Sequence, residues 1–241
     1  MRRALTIFKK ELKCYFDSPI AYIFIVVFLV LAVWVFFRGF FLIGETSLRA
    51  MFVLIPWLCL FFIPAISMRL WAEERKAGTN ELLFSLPLEE WEVVVGKYLA
   101  ALLVYAATLL LTLPVAISVS FLGNLDWGVV TGSYIGALFL GAAILSVGTC
   151  VSSLTTNQIV AFILGVIVVA GLMIVGEPIV TMFIPSSVAW LVPYAQYLGL
   201  AQHFGSIARG VLDTRDFIYY LVLIIFPLYL TIKAIRARKV A

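Results

Sequence analysis

The stretch 19–37 reads PIAYIFIVVFLVLAVWVFF, with no charged residue anywhere in it. The hydrocarbon core of a bilayer is crossed by ~20 apolar residues of helix. In lipid every backbone N–H and C=O must pair within its own segment or in a closed barrel. This stretch therefore reads as a spanning helix. Working outward, five more runs read the same way: 51–68, 93–122, 129–152, 158–180 and 217–232. All are continuously apolar and lack the roughly ten-residue alternating segments of a barrel. The whole chain agrees, with 241 residues, 64% hydrophobic and 12% charged, and a mean hydropathy of +1.12. A soluble domain carries about 25% charged residues, and disordered chains are poor in the Phe, Val, Ile and Leu that dominate here. The expected fold is an all-α integral membrane protein, one domain over 1–241 with six transmembrane helices.

Orientation follows from Lys and Arg in the connections. With the N-terminus cytoplasmic, Arg2, Arg3, Lys9, Lys10, Lys13, Arg69, Arg75, Lys76, Lys97, Lys233, Arg236, Arg238 and Lys239 fall inside. Only Arg38, Arg49, Arg209 and Arg215 fall outside. Both termini are therefore expected in the cytoplasm. The net charge of +4 is spread over connections, and no module remains to carry a nucleic-acid-binding face.

Residues 1–18 form their own segment. At about 100° per residue, Leu5, Phe8, Leu12, Tyr15 and Phe16 share one arc, with Arg2, Arg3, Lys9, Lys10 and Lys13 beside it and Ile7 as the exception. This pattern predicts an elbow helix in the inner headgroup layer, its cations near anionic lipid. Asp17-Ser18-Pro19 ends it, because proline is tolerated in a first helical turn but not in the interior. The segment 185–216 is too long for a turn. Its Trp190, Leu191, Tyr194, Tyr197, Leu198 and Phe204 are too apolar for a solvated loop. A re-entrant helix pair broken at Pro193 and Gly199 fits both facts, and an interfacial aromatic belt would account for the Trp and Tyr equally well.

Several chemistries are excluded. No Asp, Glu, Lys, Arg or His falls at the middle of a span, so a proton relay or an acidic selectivity ring has no residues to use. Glu177, near the outer end of the fifth run, could pair with Arg209. Cys14, Cys59 and Cys150 form no metal-ligand spacing. His203 is the sole histidine and reads as a packing residue, and no catalytic residue is expected. Gly96-Lys97-Tyr98 lacks the upstream glycine and the Ser/Thr of a phosphate loop. Any energy must come from another polypeptide.

The dense polar cluster lies at 69–92. A helix bearing Glu73, Glu74, Arg75 and Lys76 runs out of the second span and stops at Gly78, a residue suited to a C-cap. Thr79 or Asn80 can cap a second short helix, with Leu82, Leu83 and Leu86 on its apolar side and Pro87 at its end. An ordinary charged loop is the bland alternative. Leucines presented to water are better explained by a partner's groove. In the fourth run Gly128, Gly132 and Gly136 make a small-residue seam for helix packing, within the subunit or between two. Pro56, Pro64, Pro114 and Pro227 are candidate kinks.

With these residues in place, the chain resembles the ABC-2 type permeases, the membrane subunits of ATP-driven exporters. The resemblance rests on Glu73, Arg75, Gly78, Thr79, Glu81, Leu82, Leu83 and Pro87 between spans two and three, with Gly96 and Lys97 opening the third. It implies that 69–92 is the ATPase-coupling element and that a separate ABC ATPase binds ATP and Mg, this chain holding no cofactor. It implies a second copy or a paralogous permease as partner, and the bacterial cytoplasmic membrane as location. Stretches 15–22 and 203–216 are similar to the gliding-motility-type branch, whose partners include a membrane-anchored accessory subunit with an extracytoplasmic domain. A non-transporting anchor for an ATPase complex is the main alternative, and an ion-coupled carrier a weaker one.

Overall fold

The computed structural model describes residues 2–43, 47–76, 78, 88–182, 190–211 and 213–239. Among them the regular structure is entirely helical. Helix α1 (Arg2–Asp17) is separated from α2 (Pro19–Ile43) at Ser18, and α3 (Arg49–Ser67) continues through Met68 into α4 (Arg69–Lys76). Next along the chain come α5 (Glu90–Leu110), α6 (Leu113–Ser120), α7 (Trp127–Leu154) and α8 (Gln158–Ile174). Three short helices follow, α9 (Pro178–Thr181), α10 (Val192–Leu198) and α11 (Leu200–Ile207), before the long α12 (Thr214–Lys239).

Among the described residues, five stretches are long and apolar enough to cross a membrane: 21–40, 49–76, 90–120, 127–154 and 214–237. The run expected at 158–180 is shorter, because its helix α8 has 17 residues and ends at Ile174. The chain turns there at a close backbone contact. A Cβ on Gly176 would lie 2.9 Å from Gly199 Cα, and Pro178 then opens α9. The run expected at 93–122 is two helices, broken at Leu111–Thr112, with Pro114 in the first turn of the second. Pro56 and Pro64 sit inside α3 and Pro227 inside α12.

Helix α7 is the hub, packing against α3, α4, α5, α8, α11 and α12. Over an 18-residue apolar stretch of α7, 72% of residues are buried, against 17% over that of α2 at the periphery. A helix with neighbours on every side needs small residues where backbones approach. A Cβ added at Gly136 would meet Ile207 Cγ2 of α11 at 2.5 Å. One at Gly141 would meet Tyr105 Cε1 of α5 at 2.0 Å, and one at Gly148 would meet Ser67 Oγ of α3 at 2.1 Å. The close contacts of α7 thus lie at 136, 141 and 148. Gly132 is buried, while Gly128 meets only its own N-cap side chain, Asp126 Oδ1, at 3.1 Å. Polar bonds reinforce the seams: Tyr98 and Tyr105 donate to the Ala142 and Ala137 carbonyls at 2.9 and 2.8 Å. Ser146 donates to Leu223 O of α12 at 2.7 Å.

Candidate functional site

At the α3–α4 end of the bundle, α1, α4 and α5 meet around one buried cation. Lys97, with its side chain 1% exposed, reaches Glu11 Oε1 of α1 at 3.0 Å and Glu74 Oε1 of α4 at 2.7 Å. Its ammonium lies 5.3 Å from the ring centroid of Trp71, which is fully buried. One positive charge thus holds two carboxylates and a π-face in a region of low effective dielectric, where a strong charge-assisted bond needs both partners present. Glycine at 96 makes the arrangement possible. A Cβ there would stand 3.0 Å from both Ala4 O and Ile7 Cγ2, so a larger residue would lift α1 away from α5.

Helix α4 is fastened on its other sides as well. The hydroxyl of Ser152, near the end of α7, accepts from the Trp71 and Ala72 amides at 3.2 and 3.3 Å and donates to Met68 O at 3.0 Å. One α7 side chain therefore satisfies amides and a carbonyl left open where α3 passes into α4. Arg75 donates to Thr155 O at 3.3 Å. Arg69 makes a two-pronged pair with Glu73, at 2.8 and 3.2 Å, and donates to Ser18 Oγ at 3.1 Å. On α1 the Tyr15 hydroxyl donates to Ile66 O at 3.2 Å. Burial, with Glu11 beside it, holds that hydroxyl well above the ordinary tyrosine range, so it remains a donor.

Of the residues read as ATPase-coupling, the structure brings Glu74 into the Lys97 joint, Glu73 beside it, and Arg75 onto α7. Gly78 follows α4 with φ +70°, in the left-handed region that favours glycine. Thr79, Glu81, Leu82, Leu83, Leu86 and Pro87 lie outside the described residues. Of the elbow residues, Leu5 and Phe16 are 54% and 40% exposed, while Phe8 and Leu12 are partly buried. The most buried apolar residue docking α1 is Ile7, 7% exposed, which the apolar arc left out. The packed face is rotated toward Ile7, Glu11 and Tyr15, and the exposed apolar edge separates it from Lys9 and Lys13. Sequence reasoning had no place for Glu11 and read Lys97 as an inside cation, a failed phosphate loop and part of a family motif, not as the centre of a buried joint. A lysine two turns into a span, with a carboxylate on each flanking helix, was the available signal.

A second polar cluster ties the α10–α11 corner to α12. His203 Nδ1 lies 2.6 Å from Asp216 Oδ1, and its Nε2 donates to Tyr197 O at 2.8 Å, since a carbonyl only accepts. Ser206 donates to the other Asp216 oxygen. The His203 ring stacks on Tyr219 at 4.0 Å. Tyr219 donates to Leu198 O at 2.7 Å and Tyr220 to Leu200 O at 3.2 Å. His203 is thus a buried structural link, and Asp216 is the partner that the sequence reading missed. No Glu177–Arg209 pair forms among the described residues.

The two clusters sit against α7 near Gly136 and Ser152, sixteen residues apart, or about 24 Å at 1.5 Å per residue. No curated protein matches the chain. The family described as ABC-2 family transporter protein matches residues 40–237, from the end of α2 through nearly all of α12. With most of a multi-pass helical chain inside that match, the protein belongs to the ABC-2 transporter family.

Proposed function

We propose that this chain is the permease subunit of an ATP-driven exporter and that a separate ATPase docks on the α1–α4–α5 joint and the 79–87 stretch beyond it. The observation that carries this reading is the fastening of α4. One short helix is tied to α1 and α5 through Lys97, to Ser18 through Arg69, and to α7 through Ser152 and its C-cap Thr155. A partner that pushes on α4 addresses all of these at once. ATP and Mg are ligands of that partner, and its closure rocks this chain against a second permease copy or paralogue.

In this reading the Lys97 end faces the cytoplasm with both termini, in a bacterial inner membrane. The 17 residues of α8, about 25 Å long at 1.5 Å per residue, form the sixth span, at the short end of the range. Helix α1 is the elbow and α10–α11 the outer helix pair. The narrower likeness to the gliding-motility-type branch, with its accessory subunit, rests on 15–22 and 203–216 alone. Co-purification tests the docking role. Glu81→Lys reverses a charge in the coupling stretch, and Gly78→Leu forces a side chain into a left-handed conformation costing about 1–2 kcal/mol. Both variants should insert in the membrane yet lose the ATPase. Unchanged recovery of an ATPase with both overturns the proposal. An ATPase that remains bound to the wild type but never responds to any substrate would indicate an anchor instead.

A further inference from the structure

We propose that the flank of α2 ending at Arg38 is a seat for one anionic phospholipid of the surrounding bilayer. An open furrow along this face, about 670 Å³ of space, is lined by Leu29, Val30, Val33, Trp34, Phe37 and Arg38 of the one helix. It runs beside the buried line Phe28, Ala32 and Phe36 that packs α2 into the bundle. Five apolar side chains followed by a single cation match an amphiphile, with acyl chain along the furrow and anionic headgroup at its end. The guanidinium of Arg38 lies 5.7 Å from the centroid of the Trp34 ring. A cation–π contact at this distance uses none of the guanidinium N–H donors, which remain available to a phosphate. Among the described residues no carboxylate pairs with Arg38.

Charge also argues for a lipid over a second copy of this chain as the occupant. Helix α2 contains no acidic residue. A symmetric contact between two copies through α2 would set Arg38 against Arg38 at the same depth, with no countercharge on either helix. A phosphodiester supplies the missing anion, and its acyl chain covers Trp34, which is 59% exposed. The seat belongs to whichever leaflet holds the Arg38 end of α2, so it does not depend on the orientation proposed above.

Trp34 reports on its own groove. The chain is placed in bilayer nanodiscs with phosphatidylglycerol or phosphatidylcholine brominated on one acyl chain. The quenching due to Trp34 is taken as the wild-type signal minus that of Trp34→Phe. Half-maximal quenching should need roughly tenfold less phosphatidylglycerol than phosphatidylcholine, a step of about 1.4 kcal/mol. Arg38→Gln should bring the two lipids level, and Arg38→Lys should keep most of the preference. Equal quenching in the wild type, a preference that survives Arg38→Gln, or an Arg38→Lys variant that falls as far as Gln each overturns the seat. So does efficient disulfide cross-linking of Val30→Cys between two copies in the same nanodiscs, because protein would then occupy the groove.

Discussion

Replacing Lys97 by methionine separates the charged joint from ordinary packing. The substitution keeps the length and most of the apolar stem of the side chain but strands Glu11 and Glu74 beside each other. Taking one partner from a buried ion pair costs about 3–5 kcal/mol. The two carboxylates are 13% and 18% exposed, so water reaches them in part, and about 3 kcal/mol is the expected cost. Removing one carboxylate is a different perturbation. Glu74→Gln or Glu11→Gln loses one bond to a charged group, about 1.5–3 kcal/mol, and leaves a neutral Lys–Glu pair. Their cost should sit at the low end of that range.

Thermal unfolding of the purified chain in mild detergent reads the difference. For a chain of this size 1 kcal/mol shifts the midpoint by about 2–4 °C, so Lys97→Met should fall by roughly 6–12 °C and each glutamine variant by roughly half as much or less. The decisive measurement is the double variant Lys97→Met/Glu74→Gln. If stranded like charges cause the damage, removing one of them restores part of the lost stability, and the double variant melts above Lys97→Met alone. A double variant that melts lower than both singles, or a Lys97→Met no worse than Glu74→Gln, would refute the electrostatic account and leave packing on Trp71 as the main role of Lys97.

Two other outcomes follow from the geometry. Gly141→Ala places a Cβ 2.0 Å from the Tyr105 ring, and overpacking of this kind costs about 1–3 kcal/mol. Displacing the ring adds about 1 kcal/mol for its bond to Ala137. The control Gly171→Ala has open space around the new carbon and should leave stability unchanged or raise it by up to about 1 kcal/mol, so equal melting of the two variants would contradict the seam. Asp216→Asn removes the charge-assisted bond to His203. Amide hydrogen exchange over 198–207 should quicken roughly ten- to hundredfold, as about 1.5–3 kcal/mol of local stability is lost, while α5 stays protected. Uniform acceleration along the chain would mean that the pair supports the whole fold rather than one corner.

The spans were legible because hydrocarbon leaves few alternatives. Once a run such as 129–152 is apolar throughout, helix is the remaining way to satisfy its backbone, and α7 follows within two residues at each end. What periodicity could not supply was which face meets which neighbour. In lipid the exposed side of a helix is as apolar as the packed side, so the arc of Leu5, Phe8, Leu12, Tyr15 and Phe16 marked the hydrophobic edge of α1, which meets its docking edge only at Leu12 and Tyr15. The docking edge was set by Gly96, where the absence of a side chain on α5 admits Ile7. The polar clusters were hidden for a related reason. Glu11, Glu74 and Lys97 lie 86 and 23 positions apart in sequence, and His203 and Asp216 lie on different helices, so only the packing of those helices makes them partners. The break at Leu111–Thr112 and the early end of α8 come from Pro114 and from the Gly176–Gly199 contact, local events within runs whose hydropathy never falls.

The placement of polar bonds suggests how a push at one end of this molecule reaches the other. Among the described residues, ion pairs occur around Lys97, Arg69 and Arg236 at one end and around His203 at the other, with none between. Across the ~24 Å between the clusters, the connection is close packing on α7. Its three seams face three different helices, α11 at Gly136, α5 at Gly141 and α3 at Gly148. A packed interior transmits strain because it has little free volume to absorb it. A shift of α4 pulls Ser152, and with it α7. Ile207 sits directly against Gly136, so a shift of α7 is expected to bear on α11, which His203 and Asp216 tie in turn to α12. If a push on α4 is transmitted through this packing, Gly141→Ala should weaken its effect on α11 and α12 with both polar joints intact, and amide exchange over 198–207 that responds equally to a bound partner in the variant and the wild type would refute it.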